Sequence, residues 1–191
     1  MGRQRLRRAL ASRAPARPSL LATGAPRAAV ALALAPGPAG LDLLMIKRAE
    51  HPADPWSGHM AFPGGRVDPE DDGPLAAAHR ECREELALSL AGAELSGELD
   101  PVHSPVRRRL VVHAYVFLLP EKPALAPNEE VASAHWFGLD RFVADEGRAT
   151  FQLPLRGVTM RMPCVDLDGC RIWGMSLRMI DDLLARLRET E

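Results

Sequence analysis

The sequence predicts an α/β fold in which a mixed β-sheet is sandwiched by helices. Three observations carry this reading. Apolar runs of strand length outnumber the helical patterns. Two segments, around residues 74–87 and 176–188, show the three- and four-residue spacing of an amphipathic helix. The 191 residues contain no internal repeat and no second-domain break, so one layered unit is the expectation.

Residues 1–26 read as a basic N-terminal tail, flexible or partly helical, and 27–191 as the folded domain. "RAAVALALA" is a buried strand, "PGPAG" a turn and "LDLLMIKR" its antiparallel partner. The prolines and glycines of "AEHPADPWSGHMAFPGG" forbid a long helix and predict an irregular loop that ends in a short strand. Asp71, Asp72 and Gly73 offer N-caps and Pro74 suits a first helical turn. The helix they start should bury Leu75, Ala78, Cys82 and Leu86. "RRLVVHAYVFLL" and "VASAHWFGL" read as further strands, with a short helix at "LDRFVAD". The chain then ends as strand, Asp168-Gly169 hairpin turn, strand and amphipathic helix. In that hairpin Leu167 should face Cys170, and Cys164 should face Trp173, so the two cysteines would not pair.

Lys and Arg total 24 against 25 Asp and Glu, which gives no reason to expect nucleic acid or an anionic membrane as partner. The basic residues are unevenly spread, since Arg3, Arg5, Arg7, Arg8, Arg13, Arg17 and Arg27 all precede the first acid, Asp42. That start resembles a transit peptide, but the same Ala, Arg and Pro bias runs through the whole chain. No aromatic residues interleave those arginines as an RNA-binding arm would require. No apolar run approaches the roughly 20 residues of a membrane helix. Three cysteines make no disulfide framework, and a reduced, cytoplasmic setting is the simplest reading.

The stretch "FPGGRVDPEDDGPLAAAHRECREELAL" concentrates acids. At about 100° per residue Glu81, Glu84 and Glu85 fall beside the apolar stripe of their helix, Glu85 at its border and Glu84 furthest away. Like charges at i and i+4 destabilise a helix by a few tenths of a kcal/mol, so some compensation is expected. One source is an ion pair of Arg80 with Glu84. Another is a hard divalent cation, held by the carboxylates together with the oxygens of a phosphate-bearing substrate. Gly64 and Gly65 would let the backbone approach closely.

Gly65 followed by Arg80-Glu81-Cys82-Arg83-Glu84-Glu85-Leu86-Ala87-Leu88 resembles the Nudix box, G-x5-E-x7-R-E-U-x-E-E-x-G-U with U apolar. One residue is inserted between Gly65 and Arg80, Asp71 or Asp72 stands for the first Glu, and Ala87 replaces the last Gly. The insertion, the preceding Phe62-Pro63-Gly64-Gly65 and the later Ile172 to Met175 resemble the coenzyme A pyrophosphatase-like branch. That branch's upstream arginine signature is imperfect here: Asp54 stands at the second Arg, and Arg48 lies one residue early.

The resemblance implies a Nudix-like α/β/α sandwich with a mixed sheet and two main helices. It implies Mg²⁺ or Mn²⁺ held by Glu81, Glu85 and the Gly64 carbonyl, with Glu84 sharing that role or polarising water. Arg80 and Asp71 (or Asp72) would brace the loop against the helix, with Gly65 supporting the site. Glu129 or Glu130, preferably Glu130, would act as base. The substrate would be a small nucleoside diphosphate derivative, coenzyme A or its derivatives first, then ADP-ribose or dinucleotides. A noncatalytic nucleotide-binding module is the alternative. Arg48, His59 and Arg107, with Arg108 and Arg109, are candidate substrate contacts. Trp56, His103 and His113 are weaker ones, His113 reading as a packed strand residue. A homodimer is left open.

Overall fold

The computed structural model of the protein describes residues 2–16, 24–51, 57–104, 110–155 and 157–190. A helix, α1 (Arg3–Ala11), comes first, followed by the hairpin β1 (Arg27–Gly37) and β2 (Gly40–Arg48), and the short strands β3 (Met60–Ala61) and β4 (Gly64–Arg66). Helix α2 (Pro74–Leu86) leads to β5 (Glu94–Glu98), β6 (Val102–His103), β7 (Val111–Leu118) and β8 (Val131–Gly138). The chain closes with α3 (Leu139–Val143), β9 (Arg148–Leu155), β10 (Val158–Leu167), β11 (Cys170–Trp173) and α4 (Gly174–Arg188).

The main sheet is mixed, as expected. β1 runs parallel to β7 over most of its length and antiparallel to β2 near the turn, where Gly37 faces Gly40. Beyond Leu34 and Leu43 the two strands diverge, and residues 60–66 fill the gap. Met60 and Ala61 pair with Lys47 and Ile46, whereas Gly64, Gly65 and Arg66 pair with Val30, Ala29 and Ala28. The "FPGG" segment is thereby wedged between the strands and held from both sides. The glycines are what permit this, because Gly64 adopts φ +149, outside the range of ordinary side chains.

Strand alternation separates the two faces of the sheet. On one, Ala31, Ala33 and Ala35 of β1 cluster with Leu44, Ile46 and the α2 residues Cys82 and Leu86. On the other, Leu32, Leu34, Leu43 and Met45 cluster with Leu177, Ile180 and Leu184 of α4. The alanines let α2 lie close to the sheet, and the leucines fill the wider space under α4. β9, β10 and β11 form a separate antiparallel sheet beside α4. Its second hairpin has the expected register, Leu167 opposite Cys170 and Cys164 opposite Trp173, and the three cysteines are free.

Three elements differ from the sequence reading. The N-terminal segment is helical over Arg3–Ala11, the partly helical alternative, but it is packed onto the domain, with Leu6, Ala9 and Leu10 buried. Arg3 donates to the carbonyls of Leu119 and Pro120, and Arg7 pairs with Glu94. Arg13 pairs with Asp100 and Asp182, and the fully buried Arg186 bonds both of those acids and the Arg13 carbonyl. These leader arginines act as clasps onto the domain. Residues 17–23 lie outside the described residues. The segment before the Asp168-Gly169 turn is two strands, β9 and β10, in place of one, and β5 is a strand that the apolar pattern does not announce. Helix α2 does start as expected, capped at Gly73 with Pro74 in its first turn, and has no side-chain cap bond; Asp71 is engaged by Arg80.

Ala87 ends α2 in the left-handed region, φ 53, with its N–H bonded to the Arg83 carbonyl. An L side chain is strained there, which explains physically why glycine suits this position. Ala87→Gly is expected to stabilise the protein by about 1 kcal/mol, raising Tm by roughly 2–4 °C in a thermal melt.

Candidate active site

Helix α2 presents its three glutamates at graded depth. Glu85 is 2% exposed, and the Glu81 and Glu84 side chains are 16% and 51% exposed. This follows the angular order of the sequence reading. The Gly64 N–H donates to Glu85 Oε2 at 2.8 Å, joining the wedged loop to the helix.

Arg80 is the hub of the acidic edge. Its Nη1 donates to Glu81 Oε1 (2.9 Å) and Glu84 Oε2 (3.0 Å), and its Nη2 to Asp71 Oδ2 and the Arg66 carbonyl, both 2.9 Å. Nε donates to Asp71 Oδ1 at 3.1 Å. Asp71, rather than Asp72, is therefore the acid that meets Arg80. The Arg80 guanidinium holds the Asp71 carboxyl below the usual carboxylate range. The Arg80–Glu84 ion pair, the simpler source of compensation, is present as well. Gly65 leaves room for Glu81, since a Cβ there would stand 2.2 Å from Glu81 Oε1.

Glu130 lies close enough that its charge raises the pKa of both Glu81 and Glu85. Its N–H is held by Asn128 Oδ1 at 2.9 Å, and the Asn128 N–H donates to the Glu85 carbonyl at 2.9 Å. Sequence reasoning missed Asn128. An Asn two residues before the acid is the mark of an Asx turn, and could have been read as one.

Arg48 follows β2's alternation onto the α2 face, where its charge lowers the Glu85 pKa. The His59 carbonyl accepts the Arg48 N–H at 3.0 Å, and its ring stands edge-on to Trp173 with centroids 5.0 Å apart. His113 pairs with Glu98 at 2.8 Å, and His103 is exposed on β6. Arg107, Arg108, Arg109, Trp56 and Asp54 lie outside the described residues. Among the described residues no three His, Cys, Asp or Glu side chains already converge as a metal cluster. Glu81 and Glu84 are turned to Arg80, and Glu85 to the Gly64 amide.

Burial pushes the Glu85 carboxyl up to about 8, the Gly64 N–H opposing this and the Glu81 charge adding to it. Because the folded value lies above the unfolded 4.5, this group favours folding fully below about 4.5, and that contribution is lost as pH rises through 8. In the presence of a chelator, Tm is expected to fall between about pH 5 and 8, and the fall to shrink in Glu85→Gln. Burial also raises Glu81, which acts in the same direction.

These features define an α/β/α sandwich that carries an acidic helix edge against a glycine-lined loop. Residues 25–155, more than half of the chain, match the NUDIX domain model. The chain belongs to the Nudix family, and with it to the hydrolases of phosphorus-containing acid anhydrides. An uncharacterised Nudix hydrolase NudL of Yersinia pestis is 29% identical over 142 residues, 74% of this chain and 70% of that protein. An uncharacterised Schizosaccharomyces pombe protein is 35% identical over 121 residues, 58% of this chain but only 36% of that longer one. The NUDIX domain of Shewanella oneidensis NrtR, solved with ADP ribose, shares the fold at a TM-score of 0.55 and 20% identity, covering 85% of this chain and 87% of that one. Among the described residues no helix is long and apolar enough to cross a membrane.

Proposed function

We propose that the protein is a Mg²⁺- or Mn²⁺-dependent pyrophosphohydrolase that splits the diphosphate linkage of a nucleoside diphosphate derivative, with coenzyme A or its derivatives the first candidates. The observation that carries the reading is the buried Glu85 beside Glu81. Two acids are held together at a cost that burial increases, and a divalent cation would relieve it. The donor set fits such an ion: hard carboxylate oxygens of Glu81, Glu84 and Glu85, with the Gly64 carbonyl at the loop. When bound, the ion supplies charge neutralisation on the diphosphate and lowers the pKa of water.

The chain's own residues would do the rest. Arg80 and Asp71 fix the loop to α2, so the glutamates keep their spacing when substrate arrives. Glu130, exposed and tied to Glu85's own carbonyl through Asn128, would take the proton from the attacking water. Arg48 would meet substrate phosphate on the same face. ADP-ribose, the molecule bound to the NrtR domain, is the second substrate candidate. The acid at position 54, where the coenzyme A signature has Arg, weighs against the first candidate and brings the second forward only to that extent.

Incubation with a panel of coenzyme A, ADP-ribose and dinucleoside polyphosphates in Mg²⁺, with products identified by mass, tests this. Two phosphate-terminated products from one of them are expected. Tight binding without any product would instead favour a noncatalytic module.

A further inference from the structure

A second feature lies on the opposite face of the sheet from the glutamates. An open cleft of about 340 Å³ has Lys47, His59, Phe151, Arg171 and Trp173 among its lining residues. Its volume is in the range of small-molecule sites. Trp173 stands edge-on to both His59 (5.0 Å) and Phe151 (5.1 Å), and Arg171 covers the Phe151 ring at 5.0 Å. Met60 and Leu153 add apolar lining. No carboxylate of the described residues lines this cleft. Arg171 is held by Asp166, but the exposed Lys47 has no charged partner among the described residues.

We infer that this cleft binds an amphipathic anion, whose apolar body lies along Trp173, Phe151 and Leu153 and whose charged end meets Lys47. An apolar wall with an unneutralised ammonium at its rim attracts a ligand with both features and discriminates against a cation. The cleft is also joined to the catalytic face through the chain. Lys47 precedes Arg48, whose charge reaches Glu85, and Gly58 to Met60 run directly into the segment that offers Gly64 to Glu85. A ligand arm passing the end of β2 would therefore connect the two faces. That last role, as the seat of the non-nucleotide arm of the substrate, rests on the proposed pyrophosphohydrolase activity. The binding itself does not.

Octyl phosphate is the probe, titrated calorimetrically into the full chain without divalent metal, so that loss of catalysis cannot obscure the result. Saturable binding is expected, weakened about tenfold or more in Lys47→Glu and in Leu153→Glu, with folding of both checked by circular dichroism. Inorganic phosphate and octyltrimethylammonium should bind far more weakly. Equal binding of phosphate alone, or unchanged affinity in both variants, overturns the inference. With Mg²⁺ and the best substrate of the panel, competitive inhibition by octyl phosphate assigns the cleft to the substrate's own arm, and noncompetitive inhibition assigns it to a separate ligand of the same chemistry.

Discussion

Glu85→Gln is expected to lower turnover of the best diphosphate substrate by about 10²- to 10³-fold while leaving the protein folded. Gln has nearly the same shape, and its side-chain oxygen can accept the Gly64 N–H that Glu85 Oε2 accepts now at 2.8 Å. What disappears is the negative charge, which the fold itself does not need: burial pushes this carboxyl up to about 8, so at neutral pH in the absence of a cation it is largely protonated. Charge here is of use only to a positively charged ligand. Steady-state kinetics with circular dichroism check the result, and near-wild-type turnover by a folded variant would remove Glu85 from the reaction.

Much of this site is legible in the sequence because it depends on helical geometry. The angular positions of residues 81, 84 and 85 set their order of burial, and that order is found. The hairpin register at Asp168-Gly169 is legible for a similar reason, since a two-residue turn fixes which residues face each other. What escapes a sequence reading depends on contacts far apart in the chain. The divergence of β1 and β2, filled by residues 60–66, is a tertiary arrangement that no local pattern records. The arginines around α1 look like a tail because their acids, Glu94, Asp100 and Asp182, lie 87 to 169 residues away. Ion pairs of that span leave no periodic signal. The sequence reading names His59 and Arg48 together as substrate contacts, yet the His59 ring stands against Trp173 while the Arg48 charge acts on Glu85.

Gly64→Ala is expected to destabilise the protein by about 3 kcal/mol or more, whereas Gly65→Ala should fold and lose activity. The two adjacent glycines fail differently because of what each new methyl would meet. At Gly64 a Cβ would lie 2.2 Å from the Ala29 carbonyl oxygen and 2.6 Å from the Val30 Cα, and φ is +149. Backbone cannot step aside there, since Ala29 and Val30 sit in β1 between β4 and β7. At Gly65 the nearest atoms a Cβ would meet belong to the carboxyl end of Glu81, 2.2 Å from Oε1 and 2.5 Å from Cδ. A flexible side chain can rotate away, so the fold survives while Glu81 leaves its place beside Glu85 and Arg80. Denaturant unfolding and turnover, measured on both variants, separate the cases. If Gly65→Ala retained full activity, Glu81 would not need its present position, and its assignment to the cation site would fail.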